Sequence, residues 1–333
     1  MIEKERKRFQ VRTDLAIEAR EIIDERNKPE KIEIPGVEVE AQESESFTLT
    51  HVKIVTEEGS AQMGKPIGSY ITIESEFLKG NHATEREEMT EVLAKELKKL
   101  VTKQSVESVL IIGLGNWNVT PDALGPKVVS KVLVTRHIKE SLPEEIQGKV
   151  CPVSAVSPGV MGITGIETGE IVKGIVDKTK PSVLIAIDAL AARKTSRINS
   201  TIQMSDTGVA PGAGVGNRRM KLDKETLGIP VIAIGVPTVV DAATLVNDTM
   251  NFILGDMIAQ TEEGAEFYAM LSNLEEQDKY HMIAEILTPY AENMFVTPKE
   301  VDAVIERLAG IIANAINIAL HPSITIQDVN RYL

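Results

Sequence analysis

The sequence predicts an α/β fold, a three-layer α/β/α sandwich preceded by a β-rich lobe. Three observations carry that expectation. The short apolar runs VLIIGLG (109–115), VLIAIDAL (183–190) and VIAIGV (231–236) read as strands buried on both faces. Helical patterns at 127–138, 168–178 and 240–258 lie between and after them, and this alternation builds a sheet covered by helices on both sides. Ahead of them, IEIPGVEVE, FTLTHVKIV and SYITIESEF alternate β-branched and polar residues around glycine-containing turns.

Taken in order, residues 1–30 are charged and predicted to be partly helical, and the segments between 32 and 78 form the β-rich region. The texture changes at Thr84, where Thr84 and Glu87 make a capping-box pattern ahead of MTEVLAKELKKLV, an amphipathic helix. The chain therefore divides into an N-terminal β-rich region, 15–83, and an α/β core, 84–333. Near the end, Thr297-Pro298-Lys299-Glu300 repeats the capping pattern with proline at the first helical position, predicting a helix to about Leu320. No internal repeat or low-complexity tract interrupts this succession.

Composition narrows the function. The 333 residues are 43% hydrophobic and 26% charged, enough to bury roughly three quarters of the unfolded surface in one or two domains. A formal net charge of −13 repels phosphate backbones, so no direct nucleic-acid ligand is expected. The apolar stretches are too short to span a bilayer and the N-terminus lacks the apolar run of a secretory signal, so no membrane partner is expected. Cys151 is the single cysteine and suits a reducing cytoplasm.

In open α/β sheets, ligands gather beyond the carboxyl ends of the strands. After the first apolar strand comes GLGNWNVTPDALG, which places Asp122 just before a helix; after the second comes Asp188, at the end of VLIAID. On neighbouring strands the two carboxylates face one crevice. Two carboxylates sharing a site hold one proton between them, so one activates water while the other protonates an amide leaving group. Each also has a structural reading: Asp122 as the N-cap of the next helix, Asp188 as a buried charge satisfied by Arg193 or backbone N–H groups.

Asp241, after the third strand, either lines the same crevice or caps the next helix. The glycine-rich loop 208–217, with Gly212, Gly214 and Gly216, either flanks an extended substrate or lies free on the surface. Competing motifs are incomplete. Gly113-x-Gly115 has Asn118 where a dinucleotide fingerprint needs its third glycine. Gly59-SAQM-Gly64-Lys65 is followed by Pro66 where a phosphate loop needs Ser or Thr, and is expected to be a hairpin turn. No HExxH or GxSxG occurs.

Together and in order, GLGNWNVTPDALGP, AIDALAAR, SDTGVAPGAGVGNRR and GVPTVVDA resemble the spore germination protease family, from VRTDLAIEA at Val11 to the C-terminal helix. The resemblance implies an endopeptidase, working without a cofactor, that degrades small acid-soluble spore proteins when germination begins. It implies a cytoplasmic location in the spore core or forespore, a homo-oligomer (a tetramer by family analogy), and a fold similar to that of hydrogenase maturation proteases. The family's two essential aspartates correspond to Asp122 and Asp188. The resemblance further implies a zymogen that removes its own N-terminal segment. Asp14-Leu15-Ala16-Ile17-Glu18 fits the outline of the cleaved site, although the family more often has glutamate and phenylalanine or isoleucine where Asp14 and Leu15 stand. Residues 1–14 are then a pro-segment cut after Asp14.

The expected mechanism has Asp122 and Asp188 holding a water between them, with Asn116, Thr120, Arg193 and the glycine loop positioning substrate or polarising the carbonyl. Two rivals stand beside it. One is a metallopeptidase with a divalent ion on the same carboxylates; the other is a nucleotide-binding protein without proteolysis.

Overall fold

The computed structural model describes residues 14–26, 34–104, 106–141, 143, 150–211, 220–260 and 294–332. Its centre is one mixed sheet. The strands are β1 (Val37–Glu43), β2 (Thr48–Ile54), β3 (Gly68–Glu74), β4 (Val109–Gly113), β5 (Val153–Val156), β6 (Val183–Ala192), β7 (Thr201–Ser205), β8 (Val231–Asp241) and β9 (Phe295–Val296). They run in the order β1-β2-β3-β7-β8-β6-β4-β5, with β9 on the end of β8. The pairs β5–β4, β4–β6 and β6–β8 are parallel; β8–β7, β7–β3, β3–β2 and β2–β1 are antiparallel.

Apolar runs without alternation belong in strands covered on both sides, and β4 and β6 are buried along almost their whole length. Against one face, Ile111, Ile185, Ile187, Ile232 and Ile234 pack on the Ala83–Thr102 and Val301–Leu320 helices, through Leu93, Leu97, Leu308 and Ile312. Val301–Leu320 has the length and apolarity of a membrane span, but here it is a core helix whose stripe of Ile and Ala faces the sheet. On the opposite face, Leu110, Ile112, Leu184 and Ala186 meet Val172 and Val176 of the Thr168–Thr179 helix. Further along that face, Val52, Ile54 and Tyr70 pack with Ala16 and Ala19 of the Ala16–Arg26 helix and Met63 of Glu57–Met63. The expected three layers are present.

Several local expectations change. The strands of the β-rich 15–83 region continue the core sheet: β3 pairs with β7 over Tyr70–Glu74, which makes them its antiparallel half. The stretch around Gly59 and Lys65 is a helix rather than a hairpin turn: Thr56 accepts the Gly59 N–H as N-cap, and Gly64 ends the helix at φ 62°. The helix expected over 127–138 is only Leu124–Val129, since the backbone N–H groups of Thr135 and Arg136 donate to Val153 and that of Leu133 to the Asn317 side chain. Neither predicted capping box forms. One helix starts at Ala83 behind His82, and the other at Val301, after Thr297 has donated its hydroxyl to the Thr238 carbonyl.

The Ala16–Arg26 helix is tied to the sheet by charge. Glu18 is completely buried, and its carboxylate accepts the N–H groups of Arg193 and Lys194, just past the end of β6. Arg197, 7% exposed, donates Nη1 and Nη2 to Glu21 at 2.9 and 2.7 Å and Nε to Glu74 at 2.8 Å. A bidentate guanidinium of this kind fixes geometry as well as charge. Removing the guanidinium leaves two half-buried carboxylates without it, Glu21 keeping Lys194 Nζ at 2.8 Å, and the lost charged hydrogen bonds cost about 2–3 kcal/mol. Arg197→Met is therefore expected to lower the unfolding free energy by about that much, measured by urea denaturation, with a loss under 1 kcal/mol showing the network to be dispensable.

Candidate active site

The parallel strands do not end together. β4 stops at Gly113, opposite Ile187 of β6, while β6 and β8 continue to Ala192 and Asp241. The chain leaves β4 through Leu114, whose N–H donates to the Ile187 carbonyl at 2.8 Å, and turns back at Gly115. Gly115 sits at φ 109°, and a Cβ there would lie 2.0 Å from the Asp122 carbonyl oxygen, so the turn requires glycine. The returning chain, a short 3₁₀ turn over Thr120–Asp122, brings the Asp122 carboxylate to the Asn116 N–H at 2.8 Å. Asp122 is not an N-cap: that position belongs to Ala123, and no side chain caps the Leu124–Val129 helix. Its carboxylate is held by the loop instead.

Asp188 is one residue beyond the Gly113–Ile187 pair and only 8% exposed. Its Oδ1 accepts the Ala189 N–H at 3.0 Å. Across the sheet it pairs with Gly235 of β8, which pairs with Gln203 of β7, so Asp188, Gly235 and Gln203 form one row on one face. A cleft of about 840 Å³ opens over this row, lined by Asp122, Asp188, Gln203 and Gly235 together. Both sequence-predicted aspartates thus share a crevice at the carboxyl ends of neighbouring parallel strands.

The segment around Asp14 lies along the cleft. The Asp14 carbonyl oxygen accepts Lys65 Nζ at 3.0 Å and Gln203 Nε2 at 3.2 Å, and Ala16 N–H donates to Gln203 Oε1 at 2.6 Å. Leu15 and Ala16 are completely buried. The Asp14 carboxylate accepts the N–H of Ala191, where the register between β6 and β8 shifts. Such an irregularity re-aims backbone groups beside a site. Burial raises the Asp14 carboxyl above its usual range, opposed by Lys65 and the Ala191 N–H. Burial likewise lowers Lys65, opposed by Asp14 and Glu18. Tyr70, whose phenol burial pushes up to about 12, donates to the Pro66 carbonyl and pins the backbone next to Lys65.

The remaining sequence candidates divide. Asn116 lines the cleft, but its Oδ1 accepts the Asn118 N–H and its own N–H serves Asp122, so it shapes the loop. Val119 and Pro121 line the cleft, whereas Thr120 between them does not. Arg193 is not among the residues lining the cleft, and its backbone N–H goes to Glu18. Asp241 accepts the Thr244 N–H at 2.6 Å and caps the helix that follows, the structural one of its two readings. Gly212, Gly214 and Gly216 lie outside the described residues, as does the expected pro-segment up to residue 13. Lys65 and Gln203 were missed by sequence reasoning. Lys65 belongs to a segment that reads as an incomplete phosphate loop or a turn, and Gln203 to TIQMS, whose polar–apolar alternation over five residues is the signal that marks its strand.

Among the described residues, no group of three or more His, Cys, Asp or Glu side chains is arranged to hold a metal ion. What the cleft offers is a carboxylate pair, a lysine and an amide facing a peptide segment.

A family model described as "Germination protease" matches residues 16–266 and 255–333. A germination protease of Clostridium tetani is 49% identical over 323 residues, covering 97% of this chain and 99% of that protein. One from Caldanaerobacter subterraneus is 50% identical over 323 residues, at 97% and 98% coverage, and one from Bacillus mycoides 46% identical over 359 residues, at 98% and 97%. Among solved structures, a [NiFe] hydrogenase maturation protease from Thermococcus kodakarensis aligns with a TM-score of 0.33 and 17% identity, over 66% of this chain and 98% of its own. The sequence resemblance and these full-length matches agree: the chain belongs to the germination protease family.

Proposed function

We propose that the chain is an endopeptidase that cuts with Asp122 and Asp188, matures by removing its own residues 1–14, and then degrades small acid-soluble spore proteins. Family membership makes it a protease acting in germination. The observation that carries the finer reading is the position of one peptide bond. Asp14, whose bond to Leu15 fits a self-cleavage site in the sequence, lines the cleft that both aspartates line, its carbonyl already hydrogen-bonded.

Of the pair, the ionised carboxylate takes a proton from water as its oxygen bonds to the Asp14 carbonyl carbon. The protonated carboxyl gives its proton to the Leu15 nitrogen as the C–N bond breaks. No covalent enzyme intermediate forms. Base and acid are roles of the pair, which titrates as a unit. The metal-dependent reading has a short donor set: among the described residues no three His, Cys, Asp or Glu side chains are grouped to hold an ion. Work in the spore core and assembly into a tetramer belong to the same proposal and rest on the family resemblance.

Asp188→Asn keeps the size of the side chain and removes its acid–base capacity. It is expected to slow both self-processing and cleavage of a small acid-soluble spore protein by at least about 10³-fold, with the thermal midpoint little changed. Gel assays of both reactions check this, and retention of either activity would overturn the pair. N-terminal sequencing of matured protein is expected to begin at Leu15; a matured chain still starting at Met1 contradicts the maturation scheme.

A further inference from the structure

We infer that Lys65 and Gln203 polarise the scissile carbonyl, forming the site that receives the developing oxyanion in maturation and in cleavage of separate substrates. This rests on the reading of Asp14–Leu15 as the bond that is cut. Two donors from different elements converge on one carbonyl oxygen: Lys65 Nζ at 3.0 Å and Gln203 Nε2 at 3.2 Å. A carbonyl merely tethered to the surface needs one donor. A carbonyl oxygen that becomes an oxyanion gains from two, because negative charge grows on it as the tetrahedral carbon forms.

Both donors are fixed beforehand. Lys65 follows Gly64, the left-handed end of the Glu57–Met63 helix; its own carbonyl accepts the Ser60 hydroxyl at 2.8 Å, and the next carbonyl accepts Tyr70. Gln203 is 8% exposed in β7, and its amide also accepts the Ala16 N–H at 2.6 Å. One side chain thus grips the carbonyl before Leu15 and the N–H after it, as a neighbouring strand would, and sets the register of the peptide.

The position relative to the aspartates agrees. Gln203 and Asp188 occupy one row, two strands apart, which at the usual strand spacing separates their Cα atoms by about 10 Å. Between them stands Gly235, over which the Leu190 side chain packs, its Cδ1 2.4 Å from where a Cβ would stand, and Leu190, Gly235, Asp188 and Gln203 line the same cleft.

The test uses the full chain for self-processing, read as a first-order rate, and the matured enzyme on a synthetic peptide spanning residues 8–22, read as kcat and KM. Lys65→Met and Gln203→Leu are each expected to lower the processing rate and kcat by about 10²-fold with KM changed only a few-fold. Gln203→Glu, of the same size but without the donor, is expected to match Gln203→Leu, and Lys65→Arg to recover part of the loss. Circular dichroism and melting temperature check folding, and the size-conserving Gln203→Glu and Lys65→Arg decide the matter where a larger change unfolds the protein. Normal kcat with raised KM would overturn the inference by reducing both residues to docking groups. Processing that persists in Asp188→Asn, or a matured terminus other than Leu15, would overturn the underlying reading instead. An inactive Asp188→Asn and a Leu15 terminus, with wild-type kcat in the Lys65 and Gln203 variants, would overturn this inference alone.

Discussion

The structure depends on a carboxylate carried at the end of a buried run. β6 brings apolar side chains through the middle of the sheet, with helices on both faces, and then presents Asp188 where its neighbour β4 has already stopped. A carboxylate in such surroundings is expensive to desolvate unless its charge is answered. The answer is built from backbone and from the loop beside it: the Ala189 N–H at Asp188, and the return of the chain from β4 that holds Asp122 through Asn116. The glycine at 115 makes that return possible, since no other residue fits so close to the Asp122 carbonyl. The staggered strand ends, the tight loop and the shared cleft are one arrangement.

The antiparallel half of the sheet supplies what the parallel half lacks. Gln203 comes from β7 and Lys65 from the link between the Glu57–Met63 helix and β3, and both reach the same carbonyl oxygen. The peptide they hold is the protein's own. It is kept there by the Ala16–Arg26 helix, whose Glu18 and Glu21 are locked to the end of β6 and to Arg197. Carboxylates, donors and peptide are drawn from segments nearly 190 residues apart, as the Ala16–Gln203 bond illustrates with its separation of 187.

The layer architecture was legible because it follows from hydrophobic periodicity. VLIIG, VLIAID and VIAIGV are too apolar for anything but doubly covered strands, and the amphipathic 83–102 and 301–320 segments supply one of the covers. Asp122 and Asp188 were legible because charged residues at such strand ends are few. Features set by tertiary pairing were not. TIQMS alternates polar and apolar residues, but over only five positions and with nothing to say which strands it joins, and β7 makes one sheet of the two halves. Both capping boxes had the right residues at the right spacing and lost to neighbours: Thr297, for example, bonds to Thr238 across the sheet. The partners of the Asp14 carbonyl follow from long-range register, which no local pattern records.

The continuity of the sheet from β1 to β5 also limits how the groove is reached. A protein with two lobes admits a chain by swinging them apart, but here every neighbouring strand in that path is hydrogen-bonded to the next. On the proposed reading, an incoming polypeptide takes the place of the resident Asp14–Ala16 segment, and the Arg197 anchor of the following helix opposes that exchange.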